Sequence, residues 1–308
     1  MQKIVLTGAT GYIGSNVARA LVGNGYDVHI ITRTSSRPDL LYDIKDRLGI
    51  HVYDGDFPRL CKVFEDIRPE MVCHLASEYI AEHQAKDINT LINSNILFGT
   101  QIAEAAVRVN TGYFINTGTY WQNYNGEGYN PVNLYAATKQ ALECILKYYC
   151  EASGLRCITV KLIDTYGPFD PRPKIMNLLK KAAVTGDKLR MSPGNQDMGL
   201  VYIADVVKGF IQAMKAIQGL EPKTKQVYVI APKKFCKLRE VVEIFEKVYR
   251  VKLDIEWGAR EYRNREIMDI VLNEPNIMEG LDPVDLYDGI RKMREIENQD
   301  RNGLKKGI

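Results

Sequence analysis

The sequence predicts an α/β fold in which a doubly wound parallel sheet is joined to a smaller C-terminal α/β lobe. Three observations carry this. Short runs apolar enough to be buried on both faces recur through the first 165 residues. Longer segments with helical spacing of apolar residues separate them. Beyond residue 165 the alternation loosens, with loops rich in proline between shorter elements. Strands that alternate with helices form a parallel sheet covered on both faces, and right-handed crossovers make it doubly wound.

The elements follow in order. Residues 3–6 are a compact apolar run, after which Ile13, Val17 and Leu21 repeat at helical spacing and Gly23 and Gly25 punctuate. Further strands are expected at 28–32, 50–53, 71–75, 113–116 and 157–162, and a helix from Asn133 to about 153. Residues 165–174 hold Pro168, Pro171 and Pro173 and read as loop. Helix is expected over 177–185, strand over 200–203, helix over 204–217, strand over 226–230 and helix over 238–248. Residues 298–308 have little to bury and are expected to fray.

Composition excludes several classes of function. The 308 residues carry 41 Lys plus Arg against 38 Asp plus Glu, a net charge of +3 without a basic block. That is no electrostatic footprint for nucleic acid. No apolar run approaches the ~20 residues that span a bilayer, and the first residues lack the pattern of a secretory signal, so no membrane association and a cytoplasmic protein are expected. The six cysteines show neither CxxC nor Cys/His zinc spacing; reduced thiols and no metal site are expected.

Thr7-Gly8-Ala9-Thr10-Gly11-Tyr12-Ile13-Gly14 follows the first strand and opens the first helix. Glycines there let the backbone turn tightly against a pyrophosphate, which meets the free N–H groups of the helix start. This is the position of a Rossmann dinucleotide cradle, with Gly8, Thr10, Gly11, Tyr12 and Ile13 as its candidate contacts. The end of the second strand separates NAD from NADP: a carboxylate there holds the ribose 2′-OH, an arginine a 2′-phosphate. The chain reads Thr32-Arg33-Thr34-Ser35-Ser36-Arg37, with no carboxylate before Asp39. Arg33, Ser36 and Arg37 favour NADP (NADPH) over a merely solvated basic loop. Asp56, with Phe57 beside it, sits where a side chain reaches adenine or simply forms the turn in Asp54-Gly55-Asp56-Phe57.

Tyr135 and Lys139 are four apart on one helix and share a face. A phenol with a reference pKa near ~10 exchanges protons at neutral pH only with help, and a nearby ammonium favours its ionised form. Thr119 ends the fifth strand at the same sheet edge, and Leu75-Ala76-Ser77 follow the fourth.

With these residues the chain resembles the extended short-chain dehydrogenase/reductase family, in its nucleotide-sugar branch. The resemblance rests on TGATGYIG at 7–14, HLAS at 74–77, NILFGT at 95–100, NTGT at 116–119 and YAATK at 135–139. KLIDTYGP at 161–168, VYIADV at 201–206 and YRNREIMD at 262–269 extend it over nearly the whole chain. It implies a catalytic set of Thr119, Tyr135 and Lys139, with Tyr135 as general acid or base, Lys139 lowering its pKa and holding the nicotinamide ribose, and Thr119 donating to the substrate oxygen. It implies a cofactor site completed by Leu75, Ala76 and Ser77, and a substrate site drawn from Glu78, Tyr79, Thr119, Tyr120, Asp164, Arg172 and Arg263, Arg263 holding the nucleotide diphosphate. Residues 1–165, with return segments about 197–230, would bind the dinucleotide. Residues 166–196 and 231–308 would bind the nucleotide-diphosphate sugar. A homodimer through paired helices, including 135–153, is also implied.

The departures from the family pattern narrow the activity. Tyr120-Trp121 stand where the 4,6-dehydratases carry an Asp-Glu pair, so elimination of water is not expected. Asp164 replaces the usual Asn, and Met198-Gly199 replaces an Arg-Asp pair, leaving Arg172, Lys174 or Arg190 to supply a phosphate contact. The chain resembles the deoxysugar 4-ketoreductases of the CDP-paratose and CDP-abequose synthase type. The expected function is therefore NADPH-dependent reduction of a nucleotide-linked 4-keto-6-deoxy sugar. A 4-epimerase retaining its NAD(P), or a non-catalytic NADP sensor, would use the same motifs.

Overall fold

Strand β1 (Lys3–Thr7) shows how the sheet is buried: Ile4 and Leu6 join one apolar cluster and Val5 the other, so both faces are covered. The computed structural model describes the backbone of residues 1–305 and the side chains of residues 1–300. After β1 come α1 (Tyr12–Gly23), β2 (Asp27–Arg33), β3 (Leu48–Tyr53), α2 (Phe57–Ile67), β4 (Met71–His74), α3 (Ile88–Ile92), α4 (Phe98–Arg108), β5 (Tyr113–Thr119), α5 (Leu134–Ser153) and β6 (Arg156–Leu162). A π-helical turn, Asn93–Leu97, joins α3 to α4. The second half holds β7 (Asp164–Tyr166), α6 (Ile175–Thr185), β8 (Leu189–Met191), β9 (Asp197–Met198), β10 (Leu200–Tyr202), α7 (Ile203–Ala216), β11 (Lys225–Ile230), β12 (Cys236–Lys237), α8 (Leu238–Tyr249), β13 (Ile255–Trp257) and α9 (Leu286–Lys305).

Seven parallel strands form the main sheet in the order β3-β2-β1-β4-β5-β6-β11. The order reverses between β1 and β4, and the crevice outside their carboxyl ends is where such sheets bind ligands. Residues of α1 and α7 pack with Ile4, Leu6, Val28 and Ile30 on one face; α2, α4 and α5 pack with Val5, Val72 and Phe114 on the other. This is the doubly wound sheet expected from the apolar runs. Of the 197–230 stretch, β11 enters the main sheet, whereas β9 pairs with β12 and β10 with β7.

Two expectations are corrected. Residues 165–174 are not loop throughout, because Thr165 and Tyr166 complete β7, whose backbone pairs with β10 ahead of Pro168, the first residue lacking an N–H. Residues 298–305 are helical, although Asn298, Gln299 and Asp300 are exposed as expected, because they continue a helix docked ahead of them. Ile290 and Met293 of α9 are fully buried, Arg294 Nη1 donates to the Val248 carbonyl at 2.6 Å, and Lys180 pairs with Glu297 at 2.7 Å. Once docked, a helix propagates with one bond per residue even into a polar tail. Residues 306–308 of that expectation lie outside the described residues.

Candidate active site

The glycine-rich turn between β1 and α1 is shaped by close approach. Gly8 has φ +74°, and a Cβ there would lie 2.6 Å from the backbone nitrogen of Ala76; a Cβ on Gly14 would lie 2.1 Å from the Gly8 carbonyl oxygen. The turn is closed by Gly11 N–H donating to the Gly8 carbonyl at 3.0 Å. Gly11 caps α1 without a side-chain acceptor, and the first turn carries no carboxylate, so the opening N–H groups of α1 have no side-chain partner, an arrangement suited to an anion. Thr10 and Ile13 lie in this turn and its helix start. The Tyr12 side chain points away from it: its hydroxyl donates to the Pro168 carbonyl at 3.1 Å, under the guanidinium of Arg172.

On the next strand, Arg33 closes β2 with its side chain 67% exposed. Its N–H donates to Ser36 Oγ at 3.0 Å, and Ser36 N–H returns to the Arg33 carbonyl at 2.9 Å, a tight turn that leads to the exposed Arg37. Asp56 caps α2, accepting from Arg59 N–H at 3.3 Å, with Phe57 as the first helical residue. The helix start thus uses one oxygen of this carboxylate, and the turn before it is made by Asp54, whose Oδ1 accepts from Asp56 N–H at 3.2 Å.

Tyr135 and Lys139 sit in the first two turns of α5, whose N-cap, Asn133, accepts from Ala136 N–H at 2.9 Å and donates to the Ala81 carbonyl at 2.8 Å. The Tyr135 ring meets the edge of Tyr79 at 5.1 Å. Burial pushes its phenol well above the usual tyrosine range, while a hydrogen bond with Ser77 acts in the opposite direction. The expected lowering by Lys139 is not seen: Ser77, not Lys139, opposes the desolvation, and the phenol keeps its proton at neutral pH. Lys139 is 1% exposed, and its ammonium has no hydrogen-bond partner among the described residues. Burial pushes its pKa down to about 8. Behind it, His74 hydrogen-bonds Thr7 Oγ1 through Nδ1 at 2.8 Å; burial first, and the Lys139 charge second, hold its pKa down to about 3, so it stays neutral.

Thr119 ends β5 with its hydroxyl accepting from Trp121 N–H at 3.3 Å, which leaves its single proton to donate. Gln122 fixes the strand end: its Oε1 accepts from Thr119 N–H at 2.9 Å, and its Nε2 donates to Gln140 at 2.7 Å and Glu143 at 2.9 Å. Glu143 is paired in turn with Lys225 of β11 at 2.7 Å. Tyr79, Tyr120 and Trp121 form an aromatic wall beside Tyr135, with burial raising the Tyr120 phenol well above its usual range.

The charged candidates separate. Asp164 lies 3.1 Å from Lys174, whose ammonium also sits 4.4 Å above the Tyr79 ring, so the carboxylate is neutralised within the site. Arg263 lies over Trp121 at 5.9 Å, half exposed and 3.5 Å from Glu82. Arg172 is committed elsewhere, donating to both oxygens of Asp170 at 2.8 and 2.7 Å and to the Thr165 carbonyl. It belongs to the loop over Tyr12, and its expected substrate contact is replaced by this internal fork. Arg190 is 65% exposed on β8 and faces Glu256. Of the three basic residues named as phosphate substitutes, Lys174 is the one beside Asp164. Glu78 turns toward Arg33, 3.9 Å away, rather than toward the aromatic wall.

The model of the NAD dependent epimerase/dehydratase family matches residues 4–231, a span that contains the glycine turn, Thr119, Tyr135, Lys139 and all of the main sheet but its first residue, Lys3. The chain belongs to that family. It is an NAD(P)-dependent enzyme of the extended short-chain dehydrogenase/reductase type. Among characterised relatives it is similar to a CDP-abequose synthase of Yersinia pseudotuberculosis, 29% identical over 287 residues, or 92% of this chain and 97% of the relative. Among solved structures it resembles UDP-glucose 4-epimerase from Thermotoga maritima with UDP-glucose, at TM-score 0.83 and 20% identity over 97% of this chain and 100% of that one. The UDP-glucose 4-epimerase of Thermus thermophilus in complex with NAD superposes at TM-score 0.80 with 20% identity, over 96% and 99%.

The family's dinucleotide fits the residues present. Gly8 and Gly14 let the turn, α1 and the segment after β4 pack backbone to backbone, the start of α1 has no side-chain cap, and the buried Lys139 ammonium needs an acceptor. Gly14→Ala is expected to lower dinucleotide affinity more than tenfold and stability by about 1–3 kcal/mol, since the new methyl meets rigid backbone; calorimetric titration and urea unfolding read both.

Sequence reasoning assigned no role to Asn95, which is fully buried. Its carboxamide accepts from Ser77 Oγ at 3.1 Å and Glu78 N–H at 2.7 Å, and donates to the Glu78 carbonyl at 3.0 Å and Thr138 Oγ1 at 2.9 Å. All four of its hydrogen-bonding positions are used. It thus ties the segment after β4 to α5 and holds Ser77 near Tyr135. An Asn four residues after the buried Leu91, in the apolar stripe of a helix, is the pattern that marks it.

Proposed function

We propose that the enzyme reduces the 4-keto group of a nucleotide-linked 4-keto-6-deoxy sugar with NADPH. The observation that carries this reading is the pairing at one sheet edge of a phenol kept protonated by burial with a threonine hydroxyl whose proton is free to donate. Both groups serve a carbonyl oxygen that gains charge as the carbon below it is reduced. A site for eliminating water needs a second acid or base beside them, and here Tyr120 and Trp121 occupy that place while Asp164 is neutralised by Lys174.

In this account Thr119 orients the C4 carbonyl, and Tyr135 transfers its phenolic proton to that oxygen as charge develops. NADPH, when bound, supplies the hydride. Lys139 holds the nicotinamide ribose hydroxyls, which replace the partner its ammonium lacks, and keeps positive charge near the phenol after proton transfer. Gly8, Thr10, Gly11, Tyr12 and Ile13 seat the pyrophosphate through their backbone; Leu75, Ala76 and Ser77 line the nicotinamide half. Residues 166–196 and 231–308 hold the nucleotide sugar, with Arg263 and Lys174 toward its diphosphate and Tyr79 and Trp121 against the sugar. Similarity to CDP-abequose synthase and to structures containing UDP-glucose or NAD supports substrate and cofactor of these classes. Exposed Leu97 and Tyr148, the latter on α5, are apolar side chains of the kind that pairing of two copies covers.

Cofactor choice follows from Arg33 and Arg37 and from the lack of a carboxylate closing β2. The test is calorimetric titration with NADPH and then NADH. A preference for NADPH of tenfold or more, about 1.4 kcal/mol, is expected, and it should collapse in Arg33→Ala. Equal or NADH-favoured binding in the wild type would remove the dissociable-cofactor reductase.

A further inference from the structure

In the main sheet β1 lies between β4 and β2, so a side chain reaching from the end of β2 to the segment after β4 crosses the mouth of the glycine turn. One pair does this. Arg33 closes β2, Glu78 follows β4 by four residues, and Arg33 Nη1 lies 3.9 Å from Glu78 Oε2. Beneath that line the Gly8–Gly11 turn abuts the backbone of Leu75 and Ala76, where a Cβ on Gly8 would collide. The adenosine ribose of a dinucleotide seated on that turn would meet the Arg33 end of this pair.

The two partners are not held alike. The backbone of Glu78 is fixed on both sides by buried Asn95, and its side chain is 33% exposed. The Arg33 side chain is 67% exposed on a flexible stem. The anion is therefore anchored and the guanidinium is the group free to swing.

We infer that Glu78 is the resting counter-anion of Arg33 and that the 2′-phosphate of the incoming dinucleotide displaces it, making Glu78 a determinant of cofactor specificity rather than a substrate contact. This rests on the reading of Arg33 as the 2′-phosphate ligand. A dinucleotide with a bare 2′-OH makes no claim on the guanidinium, and the pair persists beside it. One bearing a 2′-phosphate gains its contact with Arg33 less whatever the Arg33–Glu78 pair was worth. Glu78 thus tempers the preference for the phosphorylated cofactor without touching the reacting atoms.

The experiment is calorimetry at fixed ionic strength with adenosine 2′,5′-bisphosphate and with ADP, on the full-length wild type, Glu78→Gln, Arg33→Ala and the double variant. Glu78→Gln should tighten the bisphosphate by up to about fivefold, the ceiling a solvent-exposed ion pair allows, and leave ADP unchanged. In the Arg33→Ala background the same change should do nothing. Unchanged or weaker bisphosphate binding in Glu78→Gln overturns the inference, as does equal tightening of both ligands that persists without Arg33. If Arg33→Ala leaves the bisphosphate-to-ADP ratio of the wild type intact, Arg33 is not the 2′-phosphate ligand and both readings fall. An Arg33-dependent ratio with no response at position 78 overturns only the role of Glu78. Unfolding curves of Glu78→Gln should match the wild type, since Asn95 holds its backbone and not its carboxylate.

Discussion

Tyr135→Phe is expected to lower turnover by about 10²–10⁴-fold, the range for removing a positioned general acid, while the affinity for NADPH stays within about threefold of the wild type, well under the tenfold per 1.4 kcal/mol of a lost contact. The substitution deletes only the hydroxyl. The ring keeps its edge on Tyr79, Asn133 still caps α5, and Lys139 keeps its place one turn on. Because burial holds the phenol above its ordinary value and the Lys139 ammonium down at about 8, the wild-type rate limited by proton donation should be level through neutral pH, fall first as Lys139 loses its proton and again only when the solution is alkaline enough to ionise Tyr135. Single-turnover kinetics beside calorimetric titration of NADPH separate the two effects. Loss of cofactor binding along with turnover would make the tyrosine a structural element of the crevice.

Lys139→Met is expected to abolish most activity and at the same time stabilise the fold. The ammonium is buried without a hydrogen-bond partner among the described residues, and its pKa is pushed down to about 8 from 10.5 by desolvation. A lysine depressed in the folded state binds fewer protons there than in the unfolded chain between those two values. Stability therefore rises with pH from about 8 to 10.5 and is lowest, by the full cost of the buried charge, below about 8. That cost is on the order of 3 kcal/mol at neutral pH, and methionine, of similar length and uncharged, removes it. Urea unfolding across this pH range should show the stability advantage of the variant over the wild type shrinking from about pH 8 to 10.5, the other buried groups titrating alike in both. A variant less stable than the wild type at neutral pH would mean that the ammonium is well solvated or paired. The trade of stability for function at this position is what a ligand-binding group without its ligand displays.

How much of this was legible in the sequence depends on the range of the interactions. The main sheet was legible, because β1, β2, β4, β5 and β6 are apolar on both faces and periodicity reports burial directly. The glycine turn was legible for the same reason, since Gly8 and Gly14 mark backbone contacts that exclude any Cβ. The two- and three-residue strands β7, β8, β9, β12 and β13 carry too few side chains for a period, and their partners are remote in sequence. The candidate site shows the same division. Thr119, Tyr135 and Lys139 come from strand-end and helix-face positions that local spacing fixes. The direction of the Tyr135 shift, the fork of Arg172 onto Asp170, the neutralisation of Asp164 by Lys174 and the swing of Glu78 toward Arg33 depend on desolvation and on long side chains choosing among partners. No local pattern encodes those choices.

The most direct test of the central claim is to supply NADPH and a nucleotide-linked 4-keto-6-deoxyhexose to the purified protein and follow nicotinamide absorbance together with product formation. One NADPH oxidised for each sugar reduced at C4, with Tyr135→Phe inert in the same assay, is the predicted result. Conversion of a nucleotide sugar to its C4 epimer with no net change in NADPH would contradict it.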